Sequence, residues 1–399
     1  MMSNKIGTGR LELELKTTLL ALVGENNNML MRVDRDWIQA RALAAGFDLA
    51  GIAAVPAESS PEADMNDRRF TEWIAAGRAG EMEYLKRANE AGELLRGDLR
   101  RAMPWAQSVI VCAVNYNAEE PRSIDPAPAI AGWIARYAWS GLEQAGSGQE
   151  PKGSDYHEVL LPKLRAVEAE LKQRFGESCE TRCYVDTGPI LERGYAERAG
   201  VGWIGKNTCV INQQQGSWLL LGVIVTSLEL AADAWAVPAA DRCGSCTRCI
   251  DACPTDALVA PRQMDASRCI AYLTIEKKGS LAEDLLPLMG RQVFGCDICQ
   301  DVCPWNRRAP VAASPALPAR RELVNPALEW LAGMDGPTFN RWFRGSPLER
   351  TRRKRILRNV AIAMGNSGEH EFLPQLESWA AGDDAVLAEA AAWAIRRLS

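Results

Sequence analysis

The sequence predicts an α+β protein, and three observations carry that prediction. Ser108 to Val114 holds the uninterrupted apolar run Val109-Ile110-Val111, the mark of a buried strand. Eight of the twelve cysteines crowd between Cys243 and Pro304. From Pro326 onward the chain reads as short helices separated by Gly-Asn and Asp-Asp breaks. A chain of 399 residues, 47% hydrophobic and 24% charged, has apolar material for a sizeable core and length for two or three domains. The expected parts are an extension over 1–32, an amino-terminal α/β domain over 33–230, a cysteine-rich domain over 231–315 and a helical domain over 316–399.

The cysteine spacing is the most specific signal. Cys243, Cys246, Cys249 and Cys253 form C-x2-C-x2-C-x3-C followed by Pro254. Cys269 comes next, then Cys296, Cys299 and Cys303 with Pro304. Zinc ribbons use paired C-x2-C knuckles rather than a triple run closed by C-x3-C-P. Disulfides belong to oxidising compartments, and the chain carries no clean secretory signal pattern. The frame matches a bacterial two-cluster ferredoxin-like domain, in which the fourth cysteine of each run serves the other cluster. One [4Fe-4S] cluster is then expected on Cys243, Cys246, Cys249 and Cys303, and the other on Cys253, Cys269, Cys296 and Cys299.

Upstream, residues 35–44 have helical apolar spacing, and Phe47 to Val55 reads as a short strand. A polar loop to Asp67 and a helix from Phe70 to Ala76 follow, with a tight turn at Gly77 to Gly80. Ser140 to Ser154 is rich in Gly, Ser and Gln and reads as a flexible surface insertion. His157 opens a helix with Leu160, Leu164, Val167 and Leu171 on one face, where a structural role is the simpler reading. Asp186 sits at a strand end before a Gly-Pro bend. There a buried carboxyl of raised pKa could donate a proton, or the residue could merely cap the turn. Closely spaced glycines around Lys206 and Asn207 would let backbone amides approach a large ligand, and Leu219 to Thr226 reads as another strand.

Histidine is limited to His157 and His370, and neither stands in the D-x-H-x-x-G loop that ligates cobalt through histidine. No run of eighteen apolar residues is present, so no membrane span is expected, and the sulfur chemistry reads as cytosolic. The net charge of -5 argues against a uniformly basic nucleic-acid coat. Residues 341–358 nevertheless hold eight Lys or Arg against the single acidic Glu349. That helix reads either as a solvated face or as a phosphate contact. The breaks at Gly365-Asn366 and Asp383-Asp384 suggest a HEAT-like helical pair.

These motifs together resemble the epoxyqueuosine reductase family. The matching residues are Gly80-Glu-Met82, Asp155-Tyr-His157, Val185-Asp186-Thr-x-Pro189, Glu192-Arg193, Gly202-Trp-Ile-Gly-Lys206-Asn207, Gly216-Ser217-Trp218, the eight cysteines, Tyr272-Leu-Thr-Ile-Glu276 and Arg358-Asn359. The resemblance implies a cytoplasmic enzyme with cobalamin, cycling as cob(II)alamin and cob(I)alamin, in the amino-terminal domain. Two [4Fe-4S] clusters and an external low-potential electron donor would reduce it. The reaction implied is reduction of epoxyqueuosine to queuosine at the wobble position of tRNA with a GUN anticodon, the last step of queuosine synthesis, by a monomer.

Carried onto this chain, the resemblance makes Asp186 the proton donor. It places Asp155, Tyr156, His157, Asp186, Lys206, Asn207 and Ser217 around the corrin, and Arg350, Arg352, Arg353, Lys354, Arg355 and Arg358 on tRNA phosphates. A reductive dehalogenase would share corrinoid and clusters without the basic helical tail. A plain ferredoxin-like carrier would leave the segments before and after the cysteines unexplained.

Overall fold

Four antiparallel strands form the central sheet, in the order Leu49–Ala54, Ser108–Asn115, Leu219–Thr226, Thr181–Tyr184. The computed structural model describes residues 36–57, 60–119, 121–142, 152–230, 239–312 and 317–399. The expected extension over 1–32, most of the 140–154 insertion and the linker at 231–238 therefore lie outside the described residues.

Side chains alternate across a strand, so the inner strand Ser108–Asn115 serves two cores at once. Ile110, Cys112 and Val114 pack with Leu160, Leu164, Val167 and Leu171 of the helix Tyr156–Phe175. Val109, Val111 and Ala113 pack on the opposite face with Tyr195 and Ala196 of the helix Glu192–Arg198. Full burial of one such aliphatic side chain contributes about 1.5–3 kcal/mol, which is why this strand tolerates no polar interruption. The sheet is antiparallel rather than the parallel kind expected of an α/β domain. An unbroken apolar run reports only that both faces are covered, and helices can cover both faces of either kind.

Two local expectations also change. The helix expected from Phe70 begins at Pro61 and runs to Ala75, so the supposed loop is largely helical. Proline suits a first turn, where its missing N–H is not needed. The helix Pro347–Ser367 passes through Gly365-Asn366 and stops at Gly368, whose φ of 78° and ψ of 3° form a left-handed cap. At Gly365 the helix Ala385–Leu398 comes so close that an added Cβ would lie 2.8 Å from the Cα of Ala394. Asn366 faces inward and donates to the carbonyls of Leu286 and Gly290 at 2.8 and 2.9 Å. A Gly-Asn pair that reads as a stop is thus a packing contact.

The largest core crosses the boundaries expected from sequence. Trp133 and Trp139, Ile270 and Phe294, and Phe343, Leu348, Val360 and Trp393 belong to one buried cluster. Residues from all three expected domains share it, which fixes the cysteine segment between its neighbours.

Candidate functional site

The eight cysteines are free thiols, and their electrostatic neighbours sort them into two groups. Cys249 is raised by burial and then by Cys243 and Cys246, while Cys303 is pushed up to about 11 by burial with Cys243 and Cys249 beside it. Burial raises Cys296 well above the thiol range, with Cys269 and Cys253 as its thiol neighbours. Cys299 is raised first by a hydrogen bond with Cys209, then by burial, and also feels Cys296 and Cys269. Among the described residues no three His, Cys, Asp or Glu side chains are placed to hold a single metal ion. The fit to iron-sulfur rests instead on donor chemistry: four thiols on each side, in a spacing made for cubanes. Cys209 is a neighbour that sequence reasoning missed, and its only signal was its place two residues after Asn207.

Asp186 lies beyond the end of the strand Thr181–Tyr184, with φ at 57°, in the left-handed region that Asp tolerates better than most residues. Its side chain is exposed, not buried as the proton-donor reading supposed. Tyr156 donates from its hydroxyl to Asp186 Oδ2 at 3.0 Å. Burial, then the Asp186 charge, lifts the Tyr156 phenol far above its ordinary range, so it serves as a donor. Tyr137 meets the Tyr156 ring edge-on at 6.0 Å. Tyr84 is half-exposed, and its phenol is pushed up to about 12 by partial burial and by the charges of Glu276 and Asp186.

Asp155 caps the helix that carries Tyr156. Its Oδ1 accepts from the His157 backbone N–H at 3.0 Å and lies 2.7 Å from His157 Nδ1. Burial works to raise the Asp155 carboxyl, but the His157 hydrogen bonds and the Arg350 charge outweigh it and hold the group below its usual range.

Glu192 is the second carboxyl of the region. It is only 9% exposed, and its Oε1 has no hydrogen-bond partner. Burial, then the negative charge of Asp186, pushes its pKa up to about 7. A carboxyl raised in this way binds more protons folded than unfolded, so its contribution to stability falls as pH rises from the ordinary carboxylate range through 7. Glu192→Gln removes that penalty. The variant should gain on wild type by up to about 3 kcal/mol between pH 4.5 and 8. Thermal unfolding of the cluster-loaded protein across that range measures it, and a pH-independent difference would refute the buried-acid assignment.

Three residues expected at a corrin hydrogen-bond to the cysteine segment. Lys206 donates to the carbonyl of Gly244 at 2.7 Å, and Asn207 to the carbonyl of Cys299 at 3.3 Å. Ser217 donates to Gln300 at 2.9 Å and exchanges hydrogen bonds with Asn306 at 2.7 and 2.8 Å. These side chains latch the amino-terminal domain onto the cysteine segment. The sequence marked the glycines around them but carried no sign of their partners.

The basic helix divides in a similar way. Arg358 is 1% exposed and donates to the carbonyls of Leu273, Lys277 and Gly279 at 2.6, 3.0 and 2.7 Å, which removes it from any phosphate surface. Arg355 is spent on the carbonyls of Thr351, Ile275, Glu276 and Arg350, and Arg353 donates through Nε to that of Met334 at 2.6 Å. Lys354 pairs with Asp384 at 3.1 Å while remaining exposed, and Arg352 is exposed. Arg350 turns toward Asp155 and His157.

A mixed sheet-and-helix fold wrapped around two sets of four thiols places the chain among iron-sulfur proteins. Residues 242–306 match the family described as 4Fe-4S double cluster binding domain, and residues 96–187 match Epoxyqueuosine reductase QueG, DUF1730. The epoxyqueuosine reductase of Xanthomonas campestris pv. campestris is 35% identical over 361 residues, covering 90% of this chain and 94% of the relative. That of Synechocystis sp. is 41% identical over 78% of this chain and 98% of its own. That of Escherichia coli K12 is 35% identical over 92% and 89%. A selenomethionine-labelled epoxyqueuosine reductase superposes with a TM-score of 0.78 at 29% identity, covering 92% of this chain and 91% of that one. An epoxyqueuosine reductase with a tRNA-Tyr epoxyqueuosine-modified stem loop gives 0.77 at 28% identity, with the same coverage. The chain belongs to the epoxyqueuosine reductase family. Among the described residues no helix is long and apolar enough to cross a membrane.

Proposed function

We propose that this protein reduces epoxyqueuosine to queuosine at the wobble position of tRNA, as the last step of queuosine synthesis, using cobalamin and two [4Fe-4S] clusters. The observation that carries the reading is the exposed Asp186, which is held by the Tyr156 hydroxyl and whose charge reaches the half-exposed Tyr84. A carboxyl and an aromatic ring left open together suit a flat ligand that would cover both, so the residues present fit a corrin. Tyr84, Asp186 and the start of the Tyr156–Phe175 helix would border it. When bound, cobalamin would supply an electron-rich cobalt for the reductive chemistry.

The chain's own residues account for one proton and for the ligands of the electron carriers. Two electrons and two protons convert the epoxide to an alkene and water. Asp186 gives one proton to the departing oxygen, solvent supplies the second, and Tyr156 holds the carboxyl in place without itself ionising. An external low-potential donor would supply the electrons, and the two sets of cysteines would hold the [4Fe-4S] clusters that relay them. A related structure carries a tRNA stem loop, which supports tRNA as the substrate here. A base in a single-stranded anticodon loop is easily splayed into a pocket. The exposed Arg352 and Lys354 remain for phosphates.

The deciding experiment incubates the cluster- and cobalamin-loaded protein with reductant and tRNA from cells that accumulate epoxyqueuosine. Nucleoside mass spectrometry should show loss of one oxygen from the modified base. An unchanged nucleoside, with both clusters spectroscopically intact and reducible, would overturn the proposal.

A further inference from the structure

Arg350 stands in the first turn of the basic helix Pro347–Ser367, yet its guanidinium crosses to the amino-terminal domain. Nη1 lies 2.5 Å from Asp155 Oδ2 and 2.8 Å from His157 Nδ1, and Cζ stands 5.6 Å from the centroid of the Tyr156 ring. One side chain of the carboxy-terminal helix therefore touches three consecutive residues of another domain. The middle one, Tyr156, is hydrogen-bonded to Asp186.

The hydrogens can be assigned by elimination. Asp155 Oδ1 already accepts the His157 backbone N–H, and its 2.7 Å separation from Nδ1 requires a hydrogen between them. With Asp155 ionised, that hydrogen belongs to His157 Nδ1. The ring nitrogen then has no lone pair for Arg350, whose hydrogen goes to Oδ2 in a charge-assisted bond. Asp155 is thus held on both oxygens, by His157 on one and by Arg350 on the other. The aromatic face of Tyr156 receives the remaining side of the cation.

Two residues further on, Arg352 interrupts the helix with φ at 61° and ψ at 151°. Such backbone costs on the order of 1–3 kcal/mol in a residue with a Cβ. The break separates the turn that holds Arg350 from the turns beyond it. The exposed side chains of Arg352 and Lys354 stand at that break.

We propose that Arg350 is a positioning residue, which sets Asp155, Tyr156 and His157 and through them the Tyr156 hydroxyl on Asp186. Proton delivery in the amino-terminal domain then depends on a contact made by the carboxy-terminal helix. The proposal rests on the reading of Asp186 as the acid.

The test uses the full chain loaded with clusters and cobalamin, with Arg350→Ala, Arg350→Lys, Asp155→Asn and the double variant Arg350→Ala/Asp155→Asn. Steady-state kinetics on epoxyqueuosine tRNA, tRNA affinity at several salt concentrations, cluster absorbance and Tm are measured for each. Arg350→Ala should lower kcat by about 10- to 100-fold while KM stays within about twofold, the mark of an interaction that matters in the reaction and not in binding. Arg350→Lys should recover part of the loss. Asp155→Asn should not add to Arg350→Ala, because both cut the same link.

A raised KM with a shallower salt dependence and normal kcat would make Arg350 a phosphate contact and overturn the proposal. Loss of Tm and cluster absorbance, unrelieved by lysine, would make it merely structural and also overturn it. Normal kcat in the variants of an active enzyme sinks the Arg350 assignment alone. An inactive wild type sinks the reading of Asp186 with it.

Discussion

Asp186→Asn should leave both clusters, the Tm and tRNA affinity close to wild type, and lower turnover by about 10²–10⁴-fold. Asparagine is the informative replacement because it shares aspartate's tolerance for a positive φ, here 57°. Its side-chain carbonyl can still accept the Tyr156 hydroxyl that lies 3.0 Å from Asp186 Oδ2. Geometry and backbone therefore survive, and only the transferable proton is lost. Alanine would add strain at the same φ and confuse the two effects. Single-turnover rates under excess reductant, followed by nucleoside mass spectrometry, give the answer. Turnover within about threefold of wild type would remove Asp186 from the proton path.

Arg358→Ala should destabilise the protein by about 3–5 kcal/mol, comparable to removing one partner from a buried charged network. The guanidinium is 1% exposed, and burial lowers its pKa to about 10, helped by Arg355. It satisfies the carbonyls of Leu273, Lys277 and Gly279 and the side chain of Asn359. Alanine would leave the buried Leu273 carbonyl and Asn359 Oδ1 without this donor, each costing about 1–3 kcal/mol. The helix Pro347–Ser367 would lose its hold on the segment that follows Cys269. The paired change Arg352→Gln with Lys354→Gln should do the reverse. Tm would stay near wild type, while the slope of log affinity for tRNA against log salt would shrink by about 1–2. Unfolding curves and binding titrations at several salt concentrations separate the two. A stable Arg358→Ala protein with a reduced salt slope would return that residue to the phosphate surface.

The legible parts of the site are those whose chemistry depends on spacing along the chain. Cys243 to Cys303 announce their groups because short turns fix their relative positions. The inner strand is equally legible, since burial on both faces requires an unbroken apolar run at Ser108–Asn115. The protein partners of Lys206, Asn207, Ser217 and Arg350 were illegible for one shared reason. Each is a polar side chain near a ligand-like motif, but its partner is distant in sequence: Gly244, Cys299, Gln300 or Asp155. Charge density likewise marked residues 341–358 as a surface, although Arg355 and Arg358 bind carbonyls of the cysteine segment.

The sequence by itself determined the cysteine spacing of a double-cluster domain and the two-sided core strand, because each is encoded by residues close together in the chain, whereas Asp186 as the acid came from the family resemblance. Only the tertiary structure decided that Asp186 is open rather than buried, that Glu192 is a buried carboxyl within reach of its charge, and which arginines face the protein. Burial and hydrogen-bond partnership are properties of chain segments brought together. For side chains as long as arginine and lysine, spacing along the chain does not determine which way the charged end turns.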